Sequence, residues 1–123
     1  MICLSAGAMV ATLAVQGFTL SWVHSVQKSE IQEDYRLEAG GLMLSEARIK
    51  GSGAGFDPPP GSQLREGWWR WRPDSQHHEL ILARSSAPGE WRICLDQSCH
   101  PLSHYLPESG DMAVQIAACH ATP

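Results

Sequence analysis

The sequence has few charged residues, no long stretch with helical periodicity and no block of basic side chains. Charged residues make up 18% of the 123 residues, and 13 acidic against 9 basic residues give a net charge of -4. The missing helical periodicity argues against a helical fold. Proteins that bind nucleic acids concentrate positive charge on one face, and we therefore expect no nucleic-acid partner. The arginines of the second half are instead spread among predicted strands, at Arg65, Arg70, Arg72, Arg84 and Arg92.

The first 27 residues contain no charged side chain, and Lys28 is the first one in the chain. A stretch of this length could be a signal peptide or a transmembrane segment, for which about 18 apolar residues suffice. However, it has no basic residue at its start, polar residues and glycines interrupt it, and its alternation is typical of strands. Paired strands are therefore the favoured interpretation and a membrane segment is the alternative. In the strand interpretation, we expect any export signal to have been cut from this sequence.

Two features in the first half predict antiparallel strands. Apolar and polar residues alternate over residues 18–26, which places Phe18, Leu20 and Trp22 on one side. Further along, Ala39-Gly40-Gly41 predicts a hairpin between strands at 35–38 and 42–50, because glycine readily adopts the positive φ of tight turns.

Short strands continue through the second half of the chain. One of them contains three tryptophans: Trp69 and Trp71 share a face, and Trp68 lies opposite with two arginines, a pattern more typical of core packing than of a partner surface. About eight or nine short strands predict a single all-β domain over residues 1–123, either an antiparallel β-sandwich or a partly closed β-barrel. The later strands are predicted at residues 67–72, 79–84, 90–95 and 112–119, with a short helical turn at 102–106.

The four cysteines predict two disulfides. Cys94 and Cys99 flank a four-residue loop, which would place them opposite each other in a hairpin, and Cys3 and Cys119 then pair by elimination. Disulfides indicate an oxidising compartment. The alternative is a zinc site built from Cys94, Cys99, His100 and one of His104, Cys119 or His120. Because the cysteine spacing does not match that of structural zinc sites, we expect neither a metal nor a cofactor.

Two strand ends carry the candidate ligand-binding or partner-binding residues. The strand at 18–26 and the strand at 42–50 point the same way, so their ends should lie at one rim of the domain, where we expect Glu33 to orient Lys28 or Arg48. The glycines after the second strand would let a ligand or partner approach the backbone closely. The candidates are His24, Ser25, Lys28, Glu33, Arg48, Lys50, Gly51, Gly53 and Gly55.

A small hydrolase using Ser25 or His24 is the enzymatic alternative. Neighbouring residues on a strand face opposite ways, so His24 could not activate Ser25 without a bend in the backbone. We therefore assign no catalytic residue and favour a non-enzymatic binding role.

Several motifs together resemble a bacterial family known as domain of unknown function 1850. They are WVHSVQK followed by Glu33 and Tyr35, then ARIKGSGAG, then WRICLDQSCHPL and a cysteine close to the end of the sequence. Members of that family have no established activity, and their genes often lie beside, or are fused to, membrane subunits of TRAP-type transporters of the TAXI class.

The resemblance implies an accessory role for this chain. The expected partners are the membrane subunits or the solute-binding protein of such a transporter. Independently of the resemblance, the donors of Lys28, Arg48 and the glycine backbone suggest a small organic acid as the ligand. The expected location is periplasmic or otherwise extracytoplasmic, with membrane association left open.

Overall fold

The computed structural model describes residues 1–23, 29–51, 58–84 and 90–120, and these ranges form twelve β-strands and one short helix. In chain order they are β1 (Ile2–Ala6), β2 (Met9–Leu13), β3 (Gly17–Val23), β4 (Glu30–Glu38), β5 (Gly41–Lys50), β6 (Gln63–Arg65), β7 (Trp68–Trp71), β8 (Ser75–His77), β9 (Glu79–Leu82), β10 (Arg92–Leu95), β11 (Ser98–Pro101), α1 (Leu102–Tyr105) and β12 (Val114–Ala118).

The strands form two antiparallel sheets. The smaller sheet has the order β2-β1-β12-β9, and the larger has the order β11-β10-β3-β4-β5-β7-β6, with β8 also paired to β5. Two sheets that pack face to face form a sandwich, so the predicted all-β class is confirmed and the sandwich is the correct one of its two alternatives.

The core lies between the sheets and is built from alternate residues of their strands. From the smaller sheet, Ile2 and Leu4 of β1 and Ile116 of β12 are fully buried. From the larger sheet, Leu20 and Ile93 are equally buried. Strand geometry sends every second side chain to the same face, and burying those side chains is the main driving force for sheet packing. The helix α1 adds Leu102, and Leu106 follows it into the same core.

The first part of the chain forms the paired strands β1 to β3. The strand interpretation is therefore correct, and the alternative of a membrane segment is wrong. Trp22 packs against Trp91 with ring centroids 4.7 Å apart and is only half-buried. It shares the side of β3 that carries the buried Phe18 and Leu20 but lies at the margin of the core. Among the described residues, no helix has the length and apolar character needed to span a membrane.

The hairpin of β4 and β5 turns at Ala39 and Gly40, whose φ values of 54° and 78° are those of a two-residue type I′ turn. The predicted hairpin is confirmed, but its first strand is longer than predicted. Residues 30–34, which lie before the predicted strand at 35–38, also belong to the strand, because each pairs with a residue of β3. A bulge between Asp34 and Tyr35 shifts the register with β5.

Both predicted disulfides are present. Cys94 and Cys99 are direct partners in the β10–β11 hairpin, and Cys3 is bonded to Cys119 with their Cα atoms 5.8 Å apart. Because all four sulfurs are bonded in pairs, they cannot act as zinc thiolates, and the zinc site proposed as an alternative is wrong.

The two disulfides should stabilise the fold unequally. The Cys3–Cys119 bond spans 116 residues and the Cys94–Cys99 bond spans 5. Chain entropy then predicts that the double replacement Cys3→Ser/Cys119→Ser costs about 5 kcal/mol, and Cys94→Ser/Cys99→Ser about 2 kcal/mol. Urea unfolding of the two variants measures the difference, and equal losses would contradict this origin of the stability.

Candidate functional site

The outer side of the larger sheet carries a continuous array of polar side chains. Antiparallel register places Gln32 of β4 beside Arg48 of β5, and Arg48 beside Arg70 of β7. Because alternate residues of a strand share a face, the residues two positions before or after these belong to the same array. We call this surface the polar face, and it consists of Thr19, Ser21, Glu30, Gln32, Asp34, Glu46, Arg48 and Arg70.

Arg48 is the centre of the polar face. Its Nε donates to Oε1 of Gln32 at 2.7 Å, and its two terminal nitrogens donate to the two carboxylate oxygens of Asp34 at 2.8 and 3.2 Å. Nη1 also donates to Oε2 of Glu46 at 2.7 Å. The side chain is only 13% exposed, so the guanidinium is held in one orientation by neighbouring strands.

The surrounding groups extend this network in both directions. Arg70 donates to the same Glu46 oxygen at 3.1 Å, and Thr19 donates to Oδ1 of Asp34 at 2.7 Å. On β3, Ser21 donates to Glu30 at 2.9 Å. Two arginines and two of the acids therefore balance each other around Arg48, and hydrogen bonds fix their positions.

Trp68 adds an aromatic surface to the cationic edge of the polar face. Nζ of Lys50 lies 5.6 Å from the ring centroid of Trp68, and Cζ of Arg48 lies 5.9 Å from it. Both distances are within the range of cation–π attraction. Lys50 is exposed, so this end of the face presents a cation and an indole together.

A cleft of about 300 Å³ adjoins the polar face at β6 and β7. This cleft was not predicted from the sequence, in which the arginines are spread among several strands. The available signal was their spacing: Arg70 and Arg72 are two residues apart and share a strand face, and the pairing of β6 with β7 brings Arg65 to them. The lining residues are Glu46, Gly61, Gln63, Arg65, Arg70, Trp71 and Arg72.

Glu33 lies on the opposite face of the sheet from Arg48, pointing towards the core. Tyr35 OH donates to Oε1 of Glu33 at 2.9 Å, and Tyr35 is buried. Burial raises the pKa of Glu33, while the Tyr35 hydrogen bond and the nearby His77 lower it in part. Burial, followed by the charge and hydrogen bond of Glu33, raises the pKa of Tyr35. Of the two expected partners of Glu33, Arg48 is oriented instead by Asp34, Glu46 and Gln32, and Lys28 lies outside the described residues.

The structure brings together some of the predicted site residues. Arg48 belongs to the polar face, and Lys50 lies at its edge, two residues further along the same side of β5. Gly51 follows at the end of β5, where its N–H donates to the carbonyl oxygen of Gly67 at 3.2 Å. A Cβ on Gly51 would lie 3.3 Å from Oγ of Ser29, so the end of β5 and the residue before β4 lie at one edge. His24, Ser25, Lys28, Gly53 and Gly55 lie outside the described residues.

Two serine–histidine contacts occur away from the predicted site. Ser75 Oγ lies 3.0 Å from Nε2 of His77, and Ser98 Oγ lies 3.2 Å from Nε2 of His100. In both pairs the residues are two apart on one strand, so strand alternation alone explains the contact. In the described ranges, no three histidine, cysteine, aspartate or glutamate side chains are placed to hold a metal ion.

One part of the chain matches a known protein family, and this part contains the whole site. The sequence profile of the family named domain of unknown function 1850 matches residues 18–102. The chain belongs to this family. The match runs from β3 to the first residue of α1 and includes the polar face, the cleft and the Cys94–Cys99 bond. No curated protein and no solved structure matches the chain.

Arg48 should matter more for stability than an exposed arginine of the same sheet. Arg48→Met leaves the half-buried carboxylates of Asp34 and Glu46 without their shared donor, which should cost about 1 to 3 kcal/mol. The control is Arg36→Met, which breaks the exposed pair with Glu38 and should cost at most about 1 kcal/mol. Urea unfolding compares the two, and an equal cost would show that the network adds no stability.

Glu33 should make stability depend on pH. Because its pKa is raised in the folded state, the folded chain retains this proton longer than the unfolded chain, and the free energy of unfolding falls as the pH rises from 4.5 through the folded-state value. Glu33→Gln should remove this fall while still accepting the Tyr35 hydrogen bond. Urea unfolding at several pH values measures it.

An NMR titration of the Glu33 carboxyl carbon measures the pKa of this group directly, in the unchanged protein and in Tyr35→Phe. Tyr35→Phe removes the hydrogen bond that lowers the pKa of Glu33 and should raise that pKa further. A downward shift in Tyr35→Phe would contradict the assignment.

Proposed function

We propose that this protein is a non-enzymatic binding domain that works outside the cytoplasm as an accessory of a TRAP-type transporter of the TAXI class. Its partners are the membrane subunits or the solute-binding protein of that transporter. Membership of the family of unknown function supports this proposal through the gene associations of its relatives. Two disulfides support an extracytoplasmic location, because such bonds persist in oxidising compartments.

The observation that carries the binding role is the fixed arrangement around Arg48. Four hydrogen bonds to Gln32, Asp34 and Glu46 hold this side chain across two strands. A surface whose side chains are already held in place loses little conformational entropy when a partner binds. The polar face is therefore suited to recognition.

Lys50 and Trp68 are the groups of this surface that a partner would contact. Lys50 is exposed at the end of β5, and Trp68 lies half-buried beneath it. Tryptophan and cationic side chains together give both contact area and charge complementarity at interfaces. An acidic segment of the transporter fits this end of the face.

Charge reversal at Lys50 tests this role in the native host. Lys50→Glu should slow uptake of the solute carried by the associated transporter several-fold, because it places a negative charge against the proposed acidic segment. Arg36→Glu makes the same change of charge at the far end of β4 and should leave uptake unchanged.

Crosslinking identifies the partner directly. A photoreactive residue in place of Lys50 should crosslink to a membrane subunit or to the solute-binding protein, and the same residue in place of Arg36 should not. The proposal fails if neither component is crosslinked and deletion of the gene leaves uptake unchanged.

A further inference from the structure

We propose that the cleft beside β6 and β7 binds a small organic dianion through Arg65, Arg70 and Arg72. The ligand class is a short carbon skeleton with two or more carboxylates. This inference rests on the proposed binding role and specifies what the domain binds besides its protein partner.

The charges that line the cleft are not balanced within it. Three arginines face one acid, Glu46, so the lining carries a charge of +2 in a protein whose net charge is -4. Glu46 is already shared between Arg48 at 2.7 Å and Arg70 at 3.1 Å. Within the described ranges, Arg65 and Arg72 form no ion pair. Two guanidinium groups are therefore available to an incoming anion.

The arginines are arranged to hold an anion from more than one side. Arg70 is fixed by Glu46 through Nη1, and register places Gln63 of β6 directly opposite it. Arg65 and Arg72 are exposed at the rim. A guanidinium presents a planar fork of donors that matches a carboxylate in two parallel hydrogen bonds. One fixed arginine and two at the rim can therefore hold two carboxylates.

The size of the cleft favours an organic anion over an inorganic one. Its volume of about 300 Å³ lies at the lower end of the range for small-molecule sites. Trp71 is among the lining residues, but register places its side chain on the side of β7 opposite Arg70, so the charged and polar side chains dominate the cleft. A dianion matches the charge of +2.

Isothermal titration of the purified, oxidised protein at constant ionic strength tests the proposal. The probes are succinate and citrate, with acetate as the single carboxylate and inorganic phosphate as the inorganic anion. Succinate and citrate should bind more tightly than acetate and phosphate. Arg65→Gln/Arg72→Gln should weaken that binding by at least about tenfold, the cost of losing one charge-assisted hydrogen bond.

Arg36→Gln is the matched control, because it removes an exposed positive charge of the same sheet outside the cleft. Its affinity for succinate should stay within about twofold of the unchanged protein, as expected of a distant and screened charge. Circular dichroism of each variant confirms that the fold is retained. Equal weakening in Arg36→Gln would overturn the proposal, as would phosphate binding as tightly as succinate or no binding of any probe at millimolar concentration.

The outcome is separate from that of the proposed accessory role. Titration uses the purified domain alone, whereas crosslinking and uptake report on the transporter components. If the titration fails and crosslinking at Lys50 succeeds, the cleft proposal is wrong and the accessory role stands. The reverse result leaves an anion-binding domain without the proposed partner.

Discussion

The register between β4 and β5 is the constraint on which the rest of the site depends. The type I′ turn at Ala39 and Gly40 fixes where the two strands meet, and the bulge after Asp34 resets the pairing by one residue. Since a shift of one residue exchanges the two faces of a strand, this register decides that Arg48 faces outwards and that Glu33 faces the core. Glu33 and Asp34 are neighbours in the sequence, but the Glu33 carboxylate faces the core and the Asp34 carboxylate is paired with Arg48 on the outer side.

The larger sheet combines two kinds of electrostatic environment. On its outer side, Asp34 and Glu46 are paired with arginines, and each acid is close to a compensating charge. On its inner side, Glu33 has a tyrosine hydroxyl and a nearby histidine instead, and burial dominates. The outer network can hold recognition groups in place because its charges are balanced. The cleft at β6 and β7 differs from both, since its arginines outnumber its acid.

Much of the fold was predictable from the sequence because it depends on local rules. Strand alternation, the glycine-containing turn and the cysteine spacing correctly predicted the all-β class, the β4–β5 hairpin and both disulfides. The site was less predictable, because contacts across a sheet depend on register and on edge strands. Residues 30–34 contain too many polar side chains to resemble a strand, yet they pair fully with β3. The short strand β6 gave no signal, and the convergence of Arg65 with Arg70 was therefore not foreseen.

The pairing of β1 with β12 has a consequence for how the protein acquires its structure during synthesis. The ribosome produces β1 early, but its partner is made more than 100 residues later, as the Cys3–Cys119 separation of 116 residues shows. Until residues 114–118 emerge, β1 can pair only with β2, β9 lacks its partner, and the smaller sheet cannot cover the larger one completely. Closing so long a loop is slow relative to forming local hairpins. While β12 is missing, the chain leaves part of the apolar inner side of the larger sheet uncovered, and such exposed surface favours aggregation.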